Sequence, residues 1–318
     1  MTSVASDVRV VALGGGHGLA ASLSALRRVV AHLTAVVTVA DNGGSSGRLR
    51  REFGVLPPGD LRQALSALCG DDDWGRTWAR VLQHRFASEG EMDNHALGNL
   101  LIVTLWELLG DHVGGLDWVG RLLGAHGRVL PMAVTPLDIT AAVRGVDPTD
   151  PEALTTVRGQ VEVASTRGQV TAVHLLPEAP PACPEALDAV RSADWLVLGP
   201  GSWFTSVLPH LLVPELRKAL VESPARRAVV LNLEPQAGET DGFSPERHLE
   251  VLVAHAPDLR LDVVLADRAA TPDGRGLSRA AEALGADLVV ADLAMGDGSP
   301  RHDPVKLAQA YAGFLNGA

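Results

Sequence analysis

The sequence predicts an α/β fold, a doubly wound and mostly parallel sheet with a helical and β-hairpin insertion in its middle. Three observations lead there. Apolar runs of strand length end in glycine and alternate with stretches of helical spacing. The first two runs are joined by a single helix, the crossover that parallel strands require. Short, turn-bounded β-like runs cluster only between Val129 and Leu176.

Val8 to Leu13 is an apolar run bounded by glycines, the pattern of a buried parallel strand. Leu19, Leu23, Leu26 and Val30 follow at helical spacing, and "LTAVVTVA" from Leu33 reads as the second strand. After Arg48 the chain turns helical through "GDLRQALSALC", "DWGRTWARVLQHRF" and "NLLIVTLWELLG". "VLPMAV", "QVEVAST" and "QVTAVHLL" read as hairpins or edge strands added to the sheet. From Trp195 the alternation resumes with "WLVLGPGS", "AVVLNLEP", "LDVVLAD" and "ADLVVAD", each followed by a helical stretch. No repeat or long linker divides the chain. It reads as one Rossmann-like domain over residues 1–318, with the insertion at about 60–180.

Composition narrows the function. The 318 residues are 46% hydrophobic and 20% charged, enough apolar surface for a sizeable core. A net charge of −11 without any basic block disfavours a nucleic-acid partner, because phosphate neutralisation needs a basic face. The longest apolar run, "LLIVTLWELL" from Leu100, carries a glutamate and is too short to span a bilayer. The first residues lack a secretory pattern, so a cytoplasmic protein is expected. Cys69 and Cys183 stand far apart outside any CxxC pattern, and the eleven histidines form no HExxH motif, so neither a disulfide nor a zinc site is expected.

The chemistry concentrates at strand ends. Gly14, Gly15, Gly16, His17 and Gly18 lie between a strand and a helix, where bare backbone N–H groups can face an anion. Counted from Gly16 the turn matches a relaxed GxGxxA pattern ending at Ala21, and Asp41 follows the second strand where a ribose-binding acid would stand. An NAD(H)-linked oxidoreductase and a structural turn are therefore both open readings. A Walker-type nucleotidase is not, because there is no GxxxxGK[ST].

The stretch Asp41, Asn42, Gly43, Gly44, Ser45, Ser46, Gly47, Arg48 is unlike a dehydrogenase loop. Its hydroxyls, glycines and arginine suit a second anion-binding surface. In "PPGDLRQAL", Asp60 stands at an expected helix N-cap with Arg62 in the first turn; capping and function are both open. Asn94, His95, Gly98 and Asn99 precede an apolar helix, again as packing or as site. Gly199, Pro200, Gly201 and Ser202 repeat the strand–turn–helix logic, with Thr205 in the first helical turn. Asn232, Gln236, Glu239, Thr240 and Asp241 form a polar loop after another strand, suited to hydroxyl contacts or to plain solvation. Glycine-rich strand ends of one sheet are expected to converge on one crevice.

Taken in order, "ALGGGHGL", "VTVADNGGSSGRLRREFGVLPPGDLRQALSAL", "HALGNLLI", "LGPGSWFTSVLPHLLVP" and "QAGETDGFS" resemble the bacterial gluconeogenesis factor family and, more distantly, the 2-phospho-L-lactate transferases. The resemblance covers about Val8 to Asp267. It implies a protein that binds a nucleotide-diphosphate sugar such as UDP-N-acetylglucosamine and serves carbon allocation, cell-envelope precursor supply and cell shape. The transferase relatives imply an alternative, magnesium-assisted transfer of a phospholactyl group. Family members commonly carry Asp-Asp where this chain has Asp41-Asn42, and a neutral amide weakens a hard-cation site. Binding without a required cofactor is therefore the leading expectation, with an amino-sugar biosynthetic enzyme as a partner and a homo-oligomeric assembly.

Overall fold

The computed structural model describes residues 6–150, 152–236, 238–271 and 274–315. Strand β1 (Ser6–Gly14), helix α1 (Gly16–Leu26) and strand β2 (Val30–Val37) form the opening crossover unit. Five helices follow: α2 (Gly44–Phe53), α3 (Gly59–Ala67), α4 (Asp73–Gln83), α5 (Leu97–Leu109) and α6 (His112–Leu123). Strand β3 (Arg128–Pro131) then precedes β4 (Asp138–Arg144), β5 (Leu154–Arg158), the short α7 (Gln160–Ala164) and β6 (Gln169–Leu176). Helix α8 (Pro184–Arg191) leads to β7 (Trp195–Leu198), a π-helical turn (Trp203–Val207), α9 (Pro209–Leu212) and α10 (Pro214–Glu222). The rest is β8 (Arg226–Val230), α11 (Pro245–His255), β9 (Val263–Asp267), α12 (Arg275–Ala283), β10 (Asp287–Ala291) and α13 (Pro304–Leu315).

Seven strands make the main sheet in the order β10-β9-β8-β7-β1-β2-β3, and every pairing in it is parallel. The chain winds outward from β1 through β2 to β3 on one side and from β7 to β10 on the other. The direction of winding thus reverses between β1 and β7. At such a border the connections leaving the carboxyl ends part to opposite faces and open a crevice. The central strands are buried on both faces, as their unbroken apolar character requires. Burial of Ser22 and Tyr311, whose hydroxyls lie 2.7 Å apart, seats α13 on α1.

The strand in "VLPMAV" is β3, which joins the main sheet as its parallel edge strand. Three other expectations are corrected. Strands β4, β5 and β6 do not extend that sheet; they form a separate antiparallel one in the order β5-β4-β6. "QVEVAST" is mostly the helix α7, and the strand next to it is β5. Its polar–apolar alternation through Gln160, Val161, Glu162 and Val163 mimics a strand, but exposed Val161 and buried Val163 share no face, and the Asn42 Oδ1 accepts the Val161 N–H at 3.1 Å and anchors a helical start. Val30, at helical spacing from Leu26, instead opens β2. Among the described residues no helix is long and apolar enough to cross a membrane. Cys69 and Cys183 are free and buried, and burial pushes their thiols up to about 11 and about 12.

Candidate functional site

The first turn does what its glycines suggest. Gly15 is extended and Gly16 takes φ +56°, which lets α1 begin immediately after β1. A Cβ on Gly18 would stand 2.3 Å from the Pro200 carbonyl oxygen and 2.5 Å from the Gly201 Cα. The turn after β1 therefore packs backbone against backbone on the turn after β7, across the border where the winding reverses. Gly199 and Gly201 both hold positive φ, +76° and +144°, to make that approach. Asn232 locks the second turn reciprocally: its Oδ1 accepts the Gly201 N–H at 3.0 Å and its Nδ2 donates to the Gly201 oxygen at 2.8 Å.

Beside the first turn lies a pair of carboxylates. Asp60 is not the N-cap of α3; Pro58 occupies that position and Asp60 sits in the first turn. Its carboxylate reaches back to the start of α1, where it accepts the Gly16 N–H, and a Cβ on Gly15 would lie 2.6 Å from its Oδ2. Asp41 spends its Oδ1 on the Gly43 N–H at 2.9 Å, and its Oδ2 would lie 2.9 Å from a Cβ on Gly59. Burial first, and the nearby Asp41 charge second, push the Asp60 carboxyl up to about 7. The Asp60 Oδ2 has no hydrogen-bond partner. Asn42 takes no part: it donates to Glu162 at 2.8 Å and accepts from Val161, holding α7. The second acid facing Asp41 thus comes from position 60, which sequence adjacency could not indicate.

That pair fits a hard cation in part. Two carboxylates are the usual protein share for magnesium, whose other ligands are water and phosphate oxygens. Among the described residues no group of three or more His, Cys, Asp and Glu is placed to hold a metal. Asp41 and Asp60 would hold such an ion only together with oxygens of an anionic ligand.

Most of the second stretch is spent inside the protein. Ser45 is buried; its Oγ accepts the Ala96 N–H at 3.2 Å and the Asn99 Nδ2 at 3.0 Å and meets His95 Nδ1 at 3.2 Å. Asn99 Oδ1 accepts from Arg62 Nε at 2.9 Å, and Arg62 also donates to Gln83. Desolvation lowers the Arg62 pKa to about 10 and also depresses His95. Arg48 donates to the carbonyls of Glu91 and Asp93. Asn94 holds φ +60°, and its carbonyl accepts from Arg85 at 2.8 Å. Ser45 and Arg48 thus brace the protein's own loops. Ser46 stays near the acids, its Oγ accepting the Gly59 N–H at 2.7 Å, while Gly44, at φ +46°, begins α2.

The loop after β8 supplies a carboxyl acceptor of its own. Glu239 accepts from the Phe204 and Thr205 N–H groups at 2.7 and 3.2 Å and from Ser202 Oγ at 2.6 and 2.8 Å. Ser202 also caps Thr205. The amides that begin the π-helical turn are thus already filled by a buried carboxylate, whose pKa burial raises. Thr240 Oγ1 accepts the Gln236 N–H at 2.8 Å, which folds the loop on itself. Ser202 and the Thr205 N–H, expected at a ligand anion, are engaged by Glu239 in this structure.

What remains open is a cavity of about 670 Å³ along the seam of the two turns. His17 and Gly18 line it from the first turn, Gly201 from the second, and Asn232 and Gln236 from the loop after β8. Met295, Pro300, Arg301, His302 and Pro304 close it from the segment before and into α13. Those last residues are absent from any sequence expectation. Their one signal was position, a Gly- and Pro-containing segment after the final strand of a doubly wound sheet. Asp41 does not line this cavity, so the ribose contact of the dinucleotide reading lies outside it.

The family model described as 2-phospho-L-lactate transferase CofD matches residues 10–298. The chain belongs to the CofD family. Within that family it is 53% identical over 320 residues to a Mycobacterium leprae protein provisionally named gluconeogenesis factor, covering all of this chain and 89% of that one. It is 34% identical to the Listeria monocytogenes gluconeogenesis factor, covering 96% of this chain and 95% of that one. The crystal structure of the UPF0052 family protein BH3568 from Bacillus halodurans superposes with a TM-score of 0.84 at 32% identity, covering 96% of this chain and 99% of that one.

Proposed function

We propose that this CofD-family chain binds a nucleotide-diphosphate sugar in the cavity along the β1–β7 border. The observation that carries the reading is the contact of the two glycine turns, Gly18 against Pro200 and Gly201, on the wall of a cavity sized for such a ligand. The N-terminus of α1, whose Gly16 N–H is already held by Asp60, and glycine edges without side chains are the features that suit a pyrophosphate. The gluconeogenesis factor names of its relatives support a role in carbon allocation; envelope precursor supply, cell shape and action through a protein partner are part of the proposal alone. The test is a melting panel with UDP-sugars, including UDP-N-acetylglucosamine. At a hundredfold excess over Kd the folded state gains about 2.7 kcal/mol. Flat curves across the panel would discard the reading.

The Asp41–Asp60 pair favours a second reading, a magnesium-dependent transferase of a phosphoryl-linked group. When bound, the ion would neutralise the diphosphate of a nucleotide-linked donor; Asp41 and Asp60 would hold and orient it. This predicts magnesium-dependent consumption of a guanosine-diphosphate-linked donor, abolished in Asp41→Ala. Absence of nucleotide release from any such donor removes it.

A further inference from the structure

The three tryptophans that are not buried stand on two neighbouring helices, α4 and α6. Trp106, Trp195 and Trp203 lie in the core, whereas Trp74 and Trp118 are each 54% exposed. Trp78 is half-buried beside Trp74, the two rings 5.7 Å apart. Leu122 is exposed one turn beyond Trp118, and the Trp74 indole donates to the Leu122 carbonyl oxygen at 3.0 Å, which ties the start of α4 to the end of α6. At the other end of α6, Leu108 and Leu109 are exposed, with only Gly110 and Asp111 between them and the first turn of α6. One exposed leucine is ordinary, but exposed indoles set beside leucines mark a surface that associates. None of these residues lines the cavity of the two glycine turns.

The occupant can be read from the outward side of α6. Asp111, Gly114, Trp118, Arg121 and Leu122 recur there at three- and four-residue steps. That stripe is complementary to itself run backwards. With a copy laid antiparallel about the level of Leu116, Arg121 comes opposite Asp111 of the second copy, and Trp118 comes opposite Gly114 of the second copy. Leu122 and Trp74 then meet the end that carries Leu108 and Leu109. Both charges are available for the pairing. Arg121 forms no ion pair among the described residues, and its guanidinium lies over the Trp118 ring, 5.2 Å from the centroid. Asp111 spends its Oδ1 on the Val113 N–H at 3.0 Å, the cap of α6, and a Cβ on Gly114 would lie 2.4 Å from its Oδ2. Gly114 thus leaves a flat place for an indole, beside a carboxylate oxygen turned outward. A foreign acidic or basic helix would satisfy one end of this stripe; a second copy satisfies both.

We propose that this face binds a second copy of the chain, pairing α6 with α6 antiparallel across a twofold axis. Such a contact uses the same patch on both subunits and closes at two. The tryptophans and leucines supply the buried apolar area, and the two Arg121–Asp111 pairs fix the register and exclude the parallel arrangement, in which like charges would face each other. The pairing is independent of what fills the cavity.

Sedimentation velocity of the full chain between about 1 and 100 µM tests it. Wild type is expected to be a dimer in this range. Trp118→Glu, checked for folding by its melting curve, is expected to be monomeric throughout. Arg121→Asp sets acid against Asp111 and is expected to raise the dimer dissociation constant at least tenfold, and Asp111→Arg added to it is expected to restore association. A wild type still monomeric at 100 µM would overturn the proposal, leaving the face to a different protein. A dimer that persists in folded Trp118→Glu would overturn it too, because the copies would then meet elsewhere. So would a double charge reversal that folds without recovering the dimer. Asp111→Arg also removes the cap of α6; should the double variant not fold, Arg121→Asp decides, and a dissociation constant equal to wild type would discard the register.

Discussion

Burial beside Asp41 holds the Asp60 carboxyl at about 7 against an ordinary 3.8, so between those values the folded chain keeps a proton that the unfolded chain has released. Stability then falls as pH rises through that window and levels off above it, the reverse of a salt-bridged carboxylate. Three pKa units correspond to about 4 kcal/mol. Urea unfolding in EDTA should therefore show wild type losing stability between pH 4 and pH 7 relative to Asp60→Asn. The variant is expected to be the more stable chain at pH 8, and parallel profiles for the two would refute the argument. The neighbouring network predicts the opposite sign. Asn99→Ala strands Arg62 Nε and removes a donor from Ser45, which should cost about 1–3 kcal/mol in the same assay. Both residues were visible in the sequence as polar positions near helix starts. Which of them faced a ligand was not, because Asp60 acts on Gly16 and Ser45 on Asn99, across 44 and 54 positions.

The main-sheet strands were legible because a parallel strand buried on both faces admits little but apolar residues, a mark carried by β7, β8, β9 and the inner half of β1. Elements on the far edge were less so. Helix α7 has only five residues, too few for a period to declare itself, and its start depends on the Asn42 side chain 118 positions before Gln160. The π-helical turn after Ser202 depends likewise on Glu239. That dependence makes a prediction about the element rather than the residue. Glu239→Ala removes the carboxyl acceptor of two buried amides and one hydroxyl, for about 1–3 kcal/mol. Hydrogen exchange should quicken at Phe204 and Thr205 in the variant while β7 keeps its protection. Loss of protection in β7 as well would mean that the loop after β8 holds the sheet and not only the turn.

At the scale of the whole molecule, charge and cavity pull in different directions. The chain carries −11, and the proposed ligand is a dianion. Anion sites built from arginine and lysine weaken in salt, because added ions screen the attraction. Here the contacts invoked are backbone N–H groups of the first turn, and Arg301 in the cavity wall is already paired with Asp297 at 3.0 Å. The net field therefore repels the ligand, and screening relieves that repulsion. Affinity for a UDP-sugar should stay level or rise between 50 and 300 mM potassium chloride, and the association rate should rise. A tenfold fall in affinity across that salt range would show that a cationic side chain, with Arg301 the first to examine, captures the phosphates in place of the bare amides.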